Sequence, residues 1–174
     1  MRTTLGLSML AIFLVSAAAS AEPARTVCYE GDQVAHIGKM DQKTHAVLER
    51  VYDPAKNEIR QRTWSEKNPT KEAAMTGHVD PKAGSFEFED PDLGAKGTGT
   101  LEGKPWHWTT FTMKLTKGDL VVASTSKVTD TKVHQEATMT NKGQQLATVT
   151  GDLTAFDCKQ LEARKTALAK PATK

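Results

Sequence analysis

Apolar and polar side chains alternate one for one over most of the chain between Thr26 and Phe156. In the segment 85–89, Phe86 and Phe88 fall on one face and two glutamates fall on the other. A period of two is that of a β-strand with one buried face. Breaks rich in Asp, Asn, Pro and Gly separate the segments, as turns do. The pattern predicts an all-β chain of about nine or ten antiparallel strands, because short turns make sequence neighbours pair in space.

Two segments depart from this alternation and predict helices. Val34, Ile37 and Met40 are spaced by three, which predicts a short helix after the first strand. Near the end of the chain, Asp157 is a suitable N-cap for a short C-terminal helix over residues 159–168.

The phase of the alternation changes within one predicted strand, between its tryptophans and the apolar residues that follow. Trp106 and Trp108 occupy even positions, whereas Phe111 and Met113 occupy odd ones. A β-bulge near 109–110 would place all of these side chains on one face, and without it the tryptophans would point the other way. Both registers stay open at this point.

Small residues occupy one face of the strand that precedes this segment. Ala95, Gly97 and Gly99 alternate with lysine and threonine. Glycine inside a strand weakens it and marks a sharp bend or the close approach of a bulky group. We therefore expect a bend or a large side chain against this face.

The first 21 residues have the three-part layout of a secretory signal peptide. Arg2 is followed by an apolar run and then by the small residues Ala19, Ser20 and Ala21. The apolar run is shorter than the roughly 20 residues that a membrane-spanning helix needs. The predicted organisation is a signal peptide over 1–21, one β-barrel domain over 22–160, and a short helix with a disordered basic tail over 161–174. A secreted or periplasmic location follows.

Cys28 and Cys158 are the two cysteines of the chain. In an exported protein, two cysteines and no others most simply form one disulfide. The bond would bring the first and last elements side by side, which is what closing a meander of strands into a barrel requires. The predicted fold is therefore an antiparallel up-and-down β-barrel.

In its strand lengths, short turns and possible helix after the first strand, the chain resembles the calycin group of barrels, the lipocalins and fatty-acid-binding-protein-like folds. The resemblance is architectural and covers nearly all of the chain after the signal peptide. Cys28-Tyr29-Glu30-Gly31 stands where lipocalins carry a Gly-x-Trp signature. The resemblance implies a central or partly open cavity that holds a small, mostly apolar ligand.

Composition and motifs argue against several other functions. The formal net charge is +2 at pH 7, which indicates neither nucleic acid nor an anionic membrane as a partner. The five histidines are scattered singly and predict no metal site or other cofactor. A serine nucleophile motif and a phosphate-binding glycine loop are both missing from a suitable context. We therefore predict a protein that is not an enzyme, does not insert into a membrane and is a monomer.

The predicted function is the binding of a small apolar or amphipathic ligand. Two amphipathic rings beside an imidazole, as in Trp106-His107-Trp108, suit the mouth of a ligand cavity. Packing of the barrel end is the alternative role for these rings. The candidate ligand-binding residues are Trp64, Trp106, His107, Trp108, Phe111 and Met113. The alternative function is a non-enzymatic structural or protein-interaction module of the envelope that uses a sheet face or edge and holds no ligand.

Overall fold

The computed structural model describes residues 22–91 and 93–169 of the 174-residue chain. The predicted signal peptide, and residues 170–174 of the predicted basic tail, lie outside these ranges. No helix within the described ranges is long and apolar enough to cross a membrane.

Ten strands follow one another and are succeeded by one short helix. The strands are β1 (Arg25–Ile37), β2 (Met40–Asp53), β3 (Glu58–Ser65), β4 (Asn68–Asp80), β5 (Ser85–Asp90), β6 (Ala95–Lys104), β7 (His107–Lys117), β8 (Leu120–Val128), β9 (Lys132–Asn141) and β10 (Gln144–Phe156). A single 3₁₀ turn, Cys158–Gln160, leads into helix α1, Leu161–Leu168. The Asp157 side chain accepts a hydrogen bond from the Lys159 backbone N–H and so caps this turn, as its position in the sequence predicts.

Each strand pairs with its neighbour in sequence, and β1 pairs with β10 to close the barrel. All of the pairs are antiparallel. The predicted up-and-down barrel with a C-terminal helix is thus confirmed. Every strand has two neighbours in the closed barrel, although β4 extends past β5, which pairs only with residues Thr76–Asp80 of β4.

The interior of the barrel holds one apolar cluster to which all ten strands contribute. A second cluster lies outside the barrel wall, beneath α1. There Cys28, Val47 and Trp64 pack against Leu161 and Leu168 of the helix. The wall is therefore covered on both sides at this place, and the helix is a fixed part of the fold.

The predicted disulfide is present between Cys28 and Cys158, whose Cα atoms are 5.3 Å apart. Cys28 is fully buried in the second cluster. The bond joins β1 to the turn that follows β10, at the point where the first and last strands meet. It therefore reinforces the closing seam of the barrel.

The short helix predicted from Val34, Ile37 and Met40 is wrong. These residues belong to the β1–β2 hairpin, in which Ile37 pairs directly with Met40 across a two-residue turn. Gly38 in this turn has a φ of 62°, the left-handed region that glycine adopts readily. Ile37 and Met40 are three positions apart because they face each other across the two-residue turn of the hairpin. Their spacing therefore does not reflect a helix.

The expectation of a bulky group against the glycines of β6 is confirmed. Gly97 and Gly99 are the direct cross-strand partners of Phe88 and Phe86 on β5. A Cβ atom on Gly99 would lie 2.3 Å from Cε1 of Phe86. The two rings therefore occupy the space that side chains on β6 would need.

Candidate functional site

A cavity of about 310 Å³ opens at the end of the barrel where β1 begins and β2 ends. Its walls come from β1, β2, β7 and the end of β8. The lining residues are Arg25, Val27, Tyr29, Tyr52, His107, Trp108, Thr109, Val128, Thr129 and Asp130. Ligand sites of proteins have volumes of about 300–1,000 Å³ and combine apolar walls with a few polar groups. We call this space the end cavity.

Trp108 faces the barrel interior because β7 contains a bulge. In the pairing of β6 with β7, Glu102 lies opposite Thr110 and Gly103 lies opposite Trp108, so Thr109 is the extra residue. The bulge shifts the alternation by one residue and turns Trp108 to the same side as Phe111. Trp108 is 4% exposed and Phe111 is 5% exposed. Of the two registers that the sequence left open, the structure has the inward one.

Trp106 lies in the two-residue turn between β6 and β7 with a φ of 64°. Bulky residues rarely adopt this left-handed conformation, and such strain concentrates at functional sites. Two contacts hold Trp106 there. Its ring lies 4.9 Å from that of Trp108, centroid to centroid, and its carbonyl oxygen accepts a 2.9 Å hydrogen bond from Nη2 of Arg25. The strained turn is thus tied to the cavity wall.

Aromatic rings form the floor of the end cavity. The Tyr52 ring centroid lies 6.4 Å from those of Trp108 and Phe111. The Arg25 guanidinium sits over the Tyr52 ring, 4.6 Å from its centroid. Such stacking of a cation on an aromatic face is attractive, so it orients the Arg25 side chain at the cavity entrance.

The polar groups at the end cavity include a buried phenol and an exposed pair of hydrogen-bonded side chains. Burial raises the pKa of the Tyr29 hydroxyl above its ordinary value, and the neighbouring Tyr52 adds to the rise. The Tyr29 hydroxyl is therefore neutral over the physiological pH range. At the rim, His107 Nε2 lies 2.8 Å from a carboxylate oxygen of Glu22, with both side chains substantially exposed. The cavity thus offers apolar walls and polar groups at one end.

The predicted candidate residues do not all come together. Trp108 and His107 line the end cavity, and Trp106 packs against Trp108. Phe111 and Met113 lie deeper in the barrel, around a smaller internal space. Trp64 lies in the second cluster, outside the barrel wall, where it cannot share a ligand with the others.

Arg25, Tyr29 and Tyr52 are site residues that the sequence did not single out. Each lies on the barrel side of its strand and lines the end cavity. Residues of the first and second strands reach the tryptophan-bearing strand only because the barrel closes. Hydrophobic alternation identifies the buried face of a strand and leaves open which strand lies opposite across the barrel.

A larger concavity of about 630 Å³ lies on the outer surface across β4, β5, β6 and β7. Its walls include Glu87, Glu89, Lys96 and Lys114, which are exposed side chains of both signs. Solvated charges hold water and offer little apolar surface to a ligand. We therefore take the smaller, aromatic end cavity as the candidate site, although the outer groove has twice its volume.

All five histidines lie beside carboxylates instead of beside one another. The pairs are His36 with Asp41, His45 with Asp32, His78 with Glu58, His107 with Glu22, and His134 with Asp152. In residues 22–91 and 93–169, no group of three or more His, Cys, Asp or Glu side chains is arranged to hold a metal ion.

No protein-family model matches the chain, and no curated protein matches it in sequence. Among solved structures, the S-type phycobiliprotein lyase CPES from Guillardia theta is similar, with 10% sequence identity and a TM-score of 0.42. The match covers 75% of this chain and 86% of the lyase chain. The closed barrel of antiparallel strands is calycin-like in architecture.

The prediction that the chain is not an enzyme is contradicted by this comparison. The similar solved structure is named a phycobiliprotein lyase. A likeness at this identity and TM-score assigns no reaction and no substrate to the present chain. We therefore withdraw the exclusion of enzymatic activity and assign no reaction in its place.

Proposed function

We propose that this protein binds a small amphipathic molecule in the end cavity. The observation that carries the proposal is an aromatic-walled cavity of about 310 Å³ with Arg25 at its entrance. An apolar body would lie against Trp108 and Tyr52, where contact with the rings removes apolar surface from water. A polar or anionic group of the ligand would face Arg25 and His107 at the rim.

The strained turn at Trp106 supports this assignment. Its left-handed φ of 64° is held by the hydrogen bond from Arg25 and by the contact with the Trp108 ring. A conformation of this kind costs about 1–3 kcal/mol and persists where the surroundings impose it. The turn therefore holds the Trp106 ring against Trp108, which lines the end cavity.

We also propose that the protein is exported and acts as a soluble monomer. The leader pattern of residues 1–21 supports export. The buried disulfide is in keeping with this, since disulfides persist mainly in oxidising compartments. The first residue observed by mass spectrometry of protein from its own host tests the cleavage after Ala21, and sedimentation tests the monomer.

The binding proposal is tested with anilinonaphthalene sulfonate, a probe with an apolar aromatic body and one anionic group. The chain has three tryptophans, so a Trp64→Phe background leaves only the pair at the end cavity as fluorescent donors. We expect saturable energy transfer from these tryptophans to the probe. Val27→Trp, which adds bulk to the cavity wall, is expected to weaken binding at least about tenfold.

Arg25→Ala is expected to weaken binding about ten- to a hundredfold, since a charge-assisted hydrogen bond contributes roughly 1.5–3 kcal/mol. The matched control is Arg60→Ala on the exposed outer side of β3, which should leave binding unchanged. Each variant must keep a cooperative urea transition, because the probe also binds loosely folded chains. Equal binding by all of the variants, or binding that does not saturate, would refute the assignment of the end cavity.

A further inference from the structure

A single arginine is buried in the middle of the barrel. Arg50 of β2 is 6% exposed and lies between Leu48 and Tyr52 on the inward side of the strand. Its guanidinium stacks on the Phe111 ring at 4.6 Å from the centroid. Nε and Nη2 both donate to Oε1 of Gln61, at 3.1 and 2.7 Å. One edge of the guanidinium is therefore held by a neutral amide.

The other edge of the guanidinium has no partner. Nη1 of Arg50 is buried and makes no hydrogen bond. Arg50 also forms no ion pair with any residue in the described part of the chain. Arginine remains protonated in proteins, so a full positive charge is buried inside the barrel without a counter-charge. Burying a charge without an opposite charge beside it costs free energy.

A small internal space of about 20 Å³ lies against this guanidinium. Gln61, Ser126 and Gln135 supply the other polar side chains of its wall, and apolar residues such as Phe111 and Met113 supply the rest. Ser126 and Gln135 are paired across β8 and β9. A hydroxyl and a side-chain amide can both donate to an anion. The volume is close to what one water-sized group occupies.

We propose that this space is an anion site, in which one small acceptor with a negative charge receives the free hydrogen bond of Arg50. The chemistry fits a halide such as chloride, or a single acid group carried by a larger bound molecule. Two properties favour an anion over water. The site needs a counter-charge, which water does not supply, and Ser126 and Gln135 can each add a donor beside that of Arg50. A guanidinium already fixed by Gln61 and Phe111 also pays little ordering entropy on binding.

The site is separate from the end cavity, although the two are neighbours. Phe111 contacts the Arg50 guanidinium on one side and the Tyr52 ring on the other. A free halide could bind whether or not the end cavity holds a ligand. An acid group would connect the two sites, and only that form of the proposal depends on the proposed function.

The direct test is a crystal of the wild-type protein grown or soaked in sodium bromide, because bromide scatters anomalously. We expect an anomalous peak within hydrogen-bond distance of Nη1 of Arg50. The solution test compares urea unfolding in sodium chloride and in sodium gluconate at equal ionic strength. Gluconate is too large to enter the space as a whole, and its hydroxylated chain is costly to bury against the apolar walls of the barrel. The unfolding equilibrium constant should fall about tenfold for each tenfold rise in chloride above its dissociation constant.

Two variants distinguish binding of chloride at Arg50 from general effects of salt on stability. Arg50→Met should abolish the difference between chloride and gluconate, whereas Arg60→Met on the outer side of β3 should retain it. Should Arg50→Met fail to fold, the bromide crystal and the wild-type salt comparison still decide the matter.

A second arm distinguishes the source of the anion. Octanoate and its uncharged counterpart octanol are titrated against both proteins. If the acid group of a larger molecule occupies the site, octanoate should bind wild type about ten- to a hundredfold more tightly than octanol, and Arg50→Met should erase this preference. No bromide peak, no chloride dependence and no preference for octanoate would together overturn the proposal. Equal binding of octanoate and octanol would leave the end cavity as a ligand site, whereas binding of neither would count against the proposed function.

Discussion

The substitution Gly99→Ala tests the packing of β5 against β6. The added Cβ atom would lie 2.3 Å from Cε1 of Phe86 and 2.5 Å from the backbone oxygen of Thr112. The ring is confined in the core, and the oxygen belongs to the neighbouring strand β7. Neither can move away cheaply. Overpacking of this kind costs about 1–3 kcal/mol, from which about 0.4–1 kcal/mol is recovered because alanine restricts the unfolded chain more than glycine does. We expect a net loss of about 1–2 kcal/mol in the free energy of unfolding.

Gly77→Ala is the matched control, because Gly77 faces the same ring from the other side. There the added Cβ atom would lie 3.1 Å from Cδ2 of Phe86, and its next neighbours are 3.6 Å and 3.7 Å away. A displacement of a few tenths of an ångström relieves this contact. The gain from restricting the unfolded chain should then leave stability within about 0.5 kcal/mol of wild type.

Urea unfolding followed by circular dichroism measures both variants, and a constant m-value keeps the comparison valid. Phe86→Leu in the Gly99→Ala background completes a double-mutant cycle. The two substitutions should couple by about 1 kcal/mol, because the shorter side chain vacates the space of the new methyl group. Equal losses for Gly77→Ala and Gly99→Ala, or no loss for either, would refute the argument from close approach.

Three further predictions concern the closing seam of the barrel and its surface charge. Replacing Cys28 and Cys158 together by alanine opens a loop of 130 residues. The chain-entropy model predicts that the free energy of unfolding falls by about 5 kcal/mol, which urea unfolding measures. A decrease of less than about 1 kcal/mol would contradict that model for this protein. The native protein should also contain no thiol that reacts with a titrating reagent. His134 donates hydrogen bonds to the carboxylates of Asp152 and Glu136, which favour its protonated form and raise its pKa. The stability difference between wild type and His134→Gln should therefore be largest below about pH 6.5, the unfolded pKa, and should vanish as pH rises through the folded pKa. Urea midpoints of the two proteins at several pH values measure this difference. A difference that increases with pH would contradict the prediction.

The sequence predicted the barrel well because its evidence is local. Alternation identified each strand, and turn residues such as Pro54 and Asn57 separated them. Closure of the sheet into a barrel cannot be predicted from any local pattern, and it was predicted from the pairing of the two cysteines. The helix predicted around Ile37 failed for a local reason too, since spacing by three describes one face of a helix and also two residues that meet across a hairpin turn.

The sites were less predictable because they depend on what meets across the interior. The register of Trp108 depended on one extra residue, Thr109, whose bulge the sequence permitted without requiring it. Trp64 has the same amphipathic ring as Trp108 but faces outward, beneath the helix. Arg50 falls on the same strand face as Leu48 and Tyr52, so its inward position was available from alternation. Whether its charge finds a partner can be decided only in three dimensions.

The disulfide also shortens the loop that must close before the first and last strands can pair. Nine of the ten strand pairings join neighbours across a short turn, and the pairing of β1 with β10 is the one that spans the whole barrel. Pairings between distant residues slow folding, because the entropy of closing a long loop must be lost first. Once Cys28 and Cys158 are joined, the two terminal strands are neighbours along a covalent ring. Oxidation before folding therefore makes every strand pairing of this barrel a short-range event.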